Sequence, residues 1–421
     1  MPKPLLAAWP TRNPAGPIPP PVGGDQTKAG QRKKKRYIGR RNHQRAGMKQ
    51  KTAVISINST WNIVNFRRGL ISALQQAGFR VVALAPPDEY SDRLAGLGVE
   101  FRPIEIDKQG ISPRRDLMLL GRYYRALRSI RPDIYLGYTA KPNIYGSVAA
   151  HLLGIPVINN VAGLGTAFIK QGLLTRIVSS LYRLAFSRSA TVFFQNDEDK
   201  AMFEREGTVS AQKTRLLPGS GINVSEFVPT SSDGADGTLR FLMIARLLWD
   251  KGVREYVEAA RQLRREQVSA QFQLLGFLDV PNRTAVGRGD VEAWVSEGVI
   301  HYLGHSDDVR PFIAAADCIV LPSYREGLPR VLLEGAAMGK PLIASNVPGC
   351  RHVVQHGQNG LLCEVRNSAS LAEMMRQMIR MAREDRSVMG AAGRKLVEQQ
   401  YDEKIPVQRY LEAIEAALAS R

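Results

Sequence analysis

The sequence predicts an α/β protein with two parallel-sheet domains facing a central cleft, preceded by a basic tail. Three observations carry this. At 421 residues the chain exceeds what one hydrophobic core usually supports. Short β-branched runs alternate with longer amphipathic segments, the rhythm of βα units around a parallel sheet. That rhythm stops at a polar, Gly- and Pro-rich stretch near residues 218–238 and restarts beyond it.

Residues 1–47 hold eleven Lys/Arg and one Asp, +10 of the chain's total of +19, which leaves +9 for residues 48–421. The segment has eight prolines and almost no periodic apolar residues, so it cannot bury enough surface to offset its ordering entropy. It reads as a disordered tail, or as residues ahead of a start at Met48, before a nucleic-acid arm or a membrane anchor. No apolar run follows Arg32-Lys33-Lys34-Lys35-Arg36, which argues against a signal peptide.

The first domain is expected over residues 48–217. Its strands are predicted at 52–57, 81–84, 134–136, 156–158 and 191–194, with one helix carrying Phe66, Leu70, Leu74 and Ala77 on a stripe and ending at Gly78. The second is expected over residues 239–399, with strands at 239–245, 272–275, 299–303, 318–321 and 342–344 and helices at 253–265 and 331–338. A closing helix over 400–421 has Val407, Leu411, Ile414 and Leu418 on one face. No stretch approaches the ~20 apolar residues of a membrane span. Cys318, Cys350 and Cys363 have no paired spacing and fit a reducing cytoplasm.

Ligands of such sheets bind at the carboxyl ends of the strands, so function is sought in the cleft. Arg246 and Lys251 follow a strand and precede the helix at Val253, where they can grip phosphate oxygens. Glu326 and Glu334 stand eight apart where a loop turns into a helix near Arg330. The amides of Gly327 and Leu328, with that helix N-terminus, form a natural anion site, and Pro329 suits the helix start. Cations for a diphosphate beside carboxylates for hydroxyls are what an enzyme handling a nucleotide sugar needs. Each pair alone is more often a solvated or structural feature; their combination is the specific signal.

These segments resemble the retaining glycosyltransferases of GT-B architecture that carry the E-x7-E motif, from about residue 51 to 418. Ala316 to Tyr324 before Glu326 and Gly339 to Ser345 after Glu334 are similar to that family as well. The resemblance implies two Rossmann-like domains, with Arg246 and Lys251 on the donor diphosphate, Glu326 on the transferred sugar and Glu334 on the ribose. It implies Arg246, Lys251 and Glu326 as the catalytic set, to which the anion-site reading adds Gly327 and Leu328 as further donor contacts. Tyr138-Thr139-Ala140-Lys141-Pro142-Asn143, Asn160 to Thr166 and Pro348-Gly349-Cys350-Arg351 are similar to bacterial enzymes that extend undecaprenyl-diphosphate-linked sugars in O-antigen and capsule assembly. On that likeness Lys141, Asn143, Gly163 and Gly165 are the acceptor-side candidates. Where many relatives carry a His, this chain has Ala140, and His352 stands where a Glu is usual.

The expected reaction moves an N-acetylhexosamine, GalNAc or GlcNAc, from a UDP-sugar to a lipid-linked saccharide, with no cofactor and no metal. Asp197-Glu198-Asp199 is taken as helix capping rather than a metal motif. Arg114, Arg115, Arg122, Tyr123, Tyr124, Arg125, Arg128 and Arg131 could rest on an anionic membrane surface, giving a peripheral protein on the inner face of the cytoplasmic membrane. No nucleic-acid partner is expected. The rivals are a UDP-sugar 2-epimerase of the same architecture and a non-catalytic basic binding protein.

Overall fold

The computed structural model describes residues 50–107, 112–162, 173–230, 237–278, 282 and 284–420. Residues 50–421 form one compact unit built on two sheets whose strands all pair in parallel. The first has seven strands in the order β3-β2-β1-β4-β5-β6-β7: β1 Thr52–Ser56, β2 Arg80–Ala85, β3 Glu100–Pro103, β4 Ile134–Tyr138, β5 Val157–Val161, β6 Thr191–Phe194 and β7 Thr214–Leu216. The second has six in the order β10-β9-β8-β11-β12-β13: β8 Leu239–Ile244, β9 Ala270–Leu275, β10 His301–Tyr302, β11 Cys318–Leu321, β12 Leu342–Ser345 and β13 Gly360–Cys363. Both orders wind outward from a central pair, β1 with β4 and β8 with β11. Between such a pair the chain direction of winding reverses and a crevice opens at the carboxyl ends.

The differences from the expected strands have one cause. β3, β7 and β13 are absent from the expectation and β10 is shorter than the predicted 299–303; these four are the edges of the two sheets. An edge strand has one neighbour, so it is short and tolerates charge or glycine, as in Glu-Phe-Arg-Pro and Gly-Leu-Leu-Cys. The central strands are buried on both faces and read as continuous apolar runs. The expected helix through Phe66 and Ala77 is two helices, Thr60–Phe66 and Arg68–Gln76, parted at Arg67. Arg67 leaves the helical conformation and turns its buried guanidinium over the Tyr138 ring at 4.3 Å.

Helix Val253–Arg265 forms where expected and buries Val253, Tyr256, Val257, Ala260 and Leu263 against the second sheet, each fully buried Val or Leu contributing about 1.5–3 kcal/mol. The closing helix is Lys404–Ala419. It returns across the molecule and packs Tyr410, Ile414 and Ala417 into the core of the first sheet with Leu70, Leu74 and Phe193. Where the chain crosses back, the returning segment pairs with Ile222 of the outgoing one: the Ile222 N–H donates to the Tyr401 carbonyl at 2.8 Å, and its carbonyl accepts from the Glu403 N–H at 3.0 Å. Among the described residues no helix is long and apolar enough to cross a membrane. The basic run of residues 32–36, Gly163 and Gly165 lie outside the described residues.

Candidate active site

The two loops that leave β8 and β11, the central pair of the second sheet, carry the predicted donor residues. After β8 the chain exposes Arg246, buries Leu247 and Leu248, and closes a short helical turn at Trp249–Lys251. Gly252 then adopts φ +77°, and a Cβ there would stand 2.0 Å from the Pro322 carbonyl oxygen, so only glycine lets this loop close on its neighbour. After β11 the second loop is tied to the first: the Tyr324 N–H and the Ser323 hydroxyl donate to the Asp250 carbonyl at 2.9 and 3.3 Å. The Tyr324 hydroxyl donates to the buried Glu255 carboxylate at 2.8 Å. Burial, then that carboxylate, pushes the Tyr324 phenol up to about 12, so it stays a donor and holds the loop at any physiological pH.

This binding of loop to loop sets Lys251 Nζ 2.6 Å from Glu326 Oε1. Their side chains are 16% and 14% exposed, so removing either leaves a charge largely withdrawn from water, a cost of about 3–5 kcal/mol. Arg246 is exposed at the start of the same loop and its side chain has no protein partner among the described residues. Gly327 and Leu328 likewise have N–H groups without a protein partner among the described residues, and they precede helix Arg330–Ala337, whose N-cap position is Pro329 with no side-chain cap. Two free amides, a helix N-terminus and two cations can together hold a diphosphate. Gly349 closes the far side: at φ +78° its Cβ position is 2.4 Å from the Gly327 carbonyl oxygen and 2.6 Å from that of Glu326.

Glu334 lies one turn into the helix, with Arg330 Nε donating to its Oε1 at 2.9 Å. Burial pushes the Glu334 carboxyl up, and Arg330 opposes the shift. Cys350 stands at the start of helix Cys350–Val353, where burial pushes its thiol well up and keeps it neutral, which is wrong for a nucleophile.

The first domain meets this site directly. Asn196 caps helix Asp197–Arg205 by accepting from the Asp199 N–H at 2.7 Å, and its amide donates to the Gly327 carbonyl at 3.4 Å. Two of the three acidic residues after it also reach the second domain: Asp199 pairs with Arg325 at 2.9 Å, and Glu198 with Arg351 at 3.2 Å and His352 at 3.3 Å. Among the described residues no group of three His, Cys, Asp or Glu is arranged to hold a metal. A second contact between the domains is made by Asp307, which accepts from the Tyr90 hydroxyl and pairs with Arg93 at 3.0 Å. Arg325 and Arg330 were missed in the sequence reading; each stands next to or one turn from a motif glutamate, the one sequence signal that could have marked them.

The acceptor-side candidates are differently placed. Lys141 pairs at 2.8 Å with Asp116, whose side chain is 5% exposed. Asn143 is buried, donates to the Asn160 carbonyl at 2.8 Å and accepts from Asn159 at 2.9 Å. Both are engaged inside the first domain, at the carboxyl end of β4, where Thr139 takes the left-handed conformation at φ +61°.

Two family models match the chain: "Glycosyl transferases group 1" over residues 238–381 and "Glycosyl transferase 4-like domain" over residues 63–219. The sequence is 30% identical over 368 residues to the N,N'-diacetylbacillosaminyl-diphospho-undecaprenol alpha-1,3-N-acetylgalactosaminyltransferase of Campylobacter jejuni, covering 83% of this chain and 94% of that one. It is 25% identical over 269 residues to the UDP-Gal:alpha-D-GlcNAc-diphosphoundecaprenol alpha-1,3-galactosyltransferase of Escherichia coli, covering 61% and 69%. Among solved structures, sucrose-phosphate synthase from Thermosynechococcus elongatus superposes with a TM-score of 0.73 at 18% identity, covering 88% of this chain and 100% of that one. Anabaena HepE in complex with UDP and glucose superposes with a TM-score of 0.69 at 18% identity, covering 86% and 99%. The fold is GT-B.

Proposed function

The chain belongs to the group 1 glycosyltransferases, and from that premise we propose that it transfers an N-acetylhexosamine, GalNAc or GlcNAc, from a UDP-sugar to an undecaprenyl-diphosphate-linked saccharide with retention at the anomeric carbon. The Campylobacter jejuni relative supports the sugar and acceptor class by its name. The observation that carries the donor site is the meeting of the β8 and β11 loops, with Lys251 and Glu326 in contact at 2.6 Å beside free amides.

The chemistry follows from this placement. Arg246, Lys251 and the Gly327 and Leu328 amides meet the charge that grows on the β-phosphate as the bond from the anomeric carbon to phosphate oxygen breaks. Glu326, which pairs with Lys251 at 2.6 Å, accepts from a sugar hydroxyl as Lys251 turns to phosphate, and Glu334 accepts from the ribose. The acceptor oxygen bonds to the same face of the anomeric carbon that UDP leaves, and its proton passes to the departing phosphate oxygen. No side-chain base is called on, in keeping with Ala140 where many relatives carry a His, and no metal is called on either.

The same reading sets helix Pro113–Ile130 against an anionic bilayer. It exposes Leu117 and Met118, at 70% and 47%, among the exposed Arg114, Arg115, Arg125 and Arg128. Apolar side chains within a cationic field are what a headgroup layer of negative charge attracts.

The test is calorimetric titration of the full chain with UDP, GDP and ADP, repeated on Arg246→Ala. UDP should bind selectively, and about tenfold or more weaker in the variant, since a charged hydrogen bond contributes about 1.5–3 kcal/mol. No nucleotide binding by folded protein would remove the reading. An epimer formed from donor alone would point to the 2-epimerase instead.

A further inference from the structure

We propose that Arg330 is a positioning residue that fixes Glu334 for the donor ribose and ties it to the place where the chain crosses between the two domains. The inference rests on the donor reading of Glu334 given above.

The geometry is unusual in how many units one side chain joins. Arg330 opens its helix in the second domain and donates from Nε to Glu334 Oε1 at 2.9 Å. Its Nη1 donates to the Ser220 hydroxyl at 2.9 Å and to the Gly221 carbonyl at 3.1 Å, both on the crossing segment. Its guanidinium stands 4.7 Å from the centre of the Phe66 ring, on the first helix of the first domain. A planar fork can satisfy these three directions at once; an ammonium cannot. Ser220 and Gly221 lead into Ile222, which pairs with the returning chain at Tyr401 and Glu403, so both crossings lie within this contact set.

The consequence for Glu334 is directional. Arg330 takes Oε1 and leaves Oε2 without a protein partner among the described residues. That oxygen is the one available to a ribose hydroxyl, and a rotation of the domains about the crossing moves Ser220, Gly221 and Phe66, hence Arg330, hence Oε2. Nucleotide capture and domain placement are then linked through one guanidinium, and linkage of this kind is reciprocal.

The experiment compares UDP with 2′,3′-dideoxy-UDP by calorimetry on the full chain, with melting curves to confirm folding. The unsubstituted protein should prefer UDP by about tenfold, the worth of a charged hydrogen bond. Arg330→Met should lose that preference and bind UDP about as weakly as the dideoxy form. Ser220→Ala combined with Phe66→Leu leaves the Arg330 and Glu334 pair in place and loosens only its grip on the crossing; it should lower the preference several-fold. Arg330→Lys, with charge but no fork, should not restore it. A wild-type preference in Arg330→Met, or in the Ser220 and Phe66 double variant, overturns the inference. Glu334→Gln separates the two levels: if it too keeps the wild-type preference, the ribose reading of Glu334 fails, and if it alone loses it, only the role of Arg330 fails.

Discussion

Gly327→Ala is the substitution that tests how the two domains share the site. A Cβ at this position would stand 2.5 Å from the Ala162 carbonyl oxygen and 3.3 Å from Gln195 Oε1, both in the first domain. Ordinary contact begins near 3.4 Å, so the added methyl requires a separation of about 0.9 Å at this point of the cleft. The obstacle at 2.5 Å is backbone, following β5, and cannot swing aside as the Gln195 side chain can. The variant keeps the Gly327 N–H, so the anion site retains its donor and UDP affinity is largely held. Transfer is another matter, because a displacement of about 1 Å at the reacting centre lowers the rate by as much as 100-fold. Steady-state transfer assays should therefore show kcat falling about 10- to 100-fold with little change in the Kd for UDP and a normal melting curve. Wild-type kcat in folded Gly327→Ala protein would refute the reasoning, since it would mean that the contact between Gly327 and Ala162 does not set the working distance between the domains.

Two further outcomes are expected. Lys141→Met leaves the Asp116 carboxylate buried and unpaired and should lower unfolding free energy by about 3–5 kcal/mol, with Asp116→Asn in the same chain recovering most of it; normal stability with lost acceptor turnover would instead place Lys141 on the acceptor. Replacing Leu117 and Met118 by Ser and Arg114, Arg125 and Arg128 by Gln should weaken cosedimentation with phosphatidylserine vesicles, the three charges alone contributing about 3 kcal/mol. Equal sedimentation of the unsubstituted protein with neutral and anionic vesicles would remove the membrane surface from the reading.

Much of this molecule follows from the sequence. The alternation of buried strands and amphipathic helices is a local pattern, and it located the central strands of both sheets to within a few residues and helix Val253–Arg265 to the residue. The segment from Arg246 to Gly252 and that from Glu326 to Glu334 were legible for the same reason, because a βα loop is read from the strand before it and the helix after it. Asp197-Glu198-Asp199 was legible as a helix start on the strength of its neighbours alone.

The tertiary structure decided what depends on residues far apart in the chain. The edge strands β3, β7, β10 and β13 have one partner each, so their sequences carry too little apolar pattern to stand out. Asp199 meets Arg325 across 126 residues and Arg330 meets Ser220 across 110, and neither pairing leaves a local trace. The closing helix shows an apolar face in its sequence, but only the fold reveals that the face covers the first sheet and not the second. The pairing of Lys141 with Asp116 and of Asn143 with Asn159 and Asn160 likewise leaves no local trace in the motif. Periodicity and turn chemistry are properties of neighbours along the chain, whereas the partner of a charge or of an apolar face is chosen by the packing of the whole.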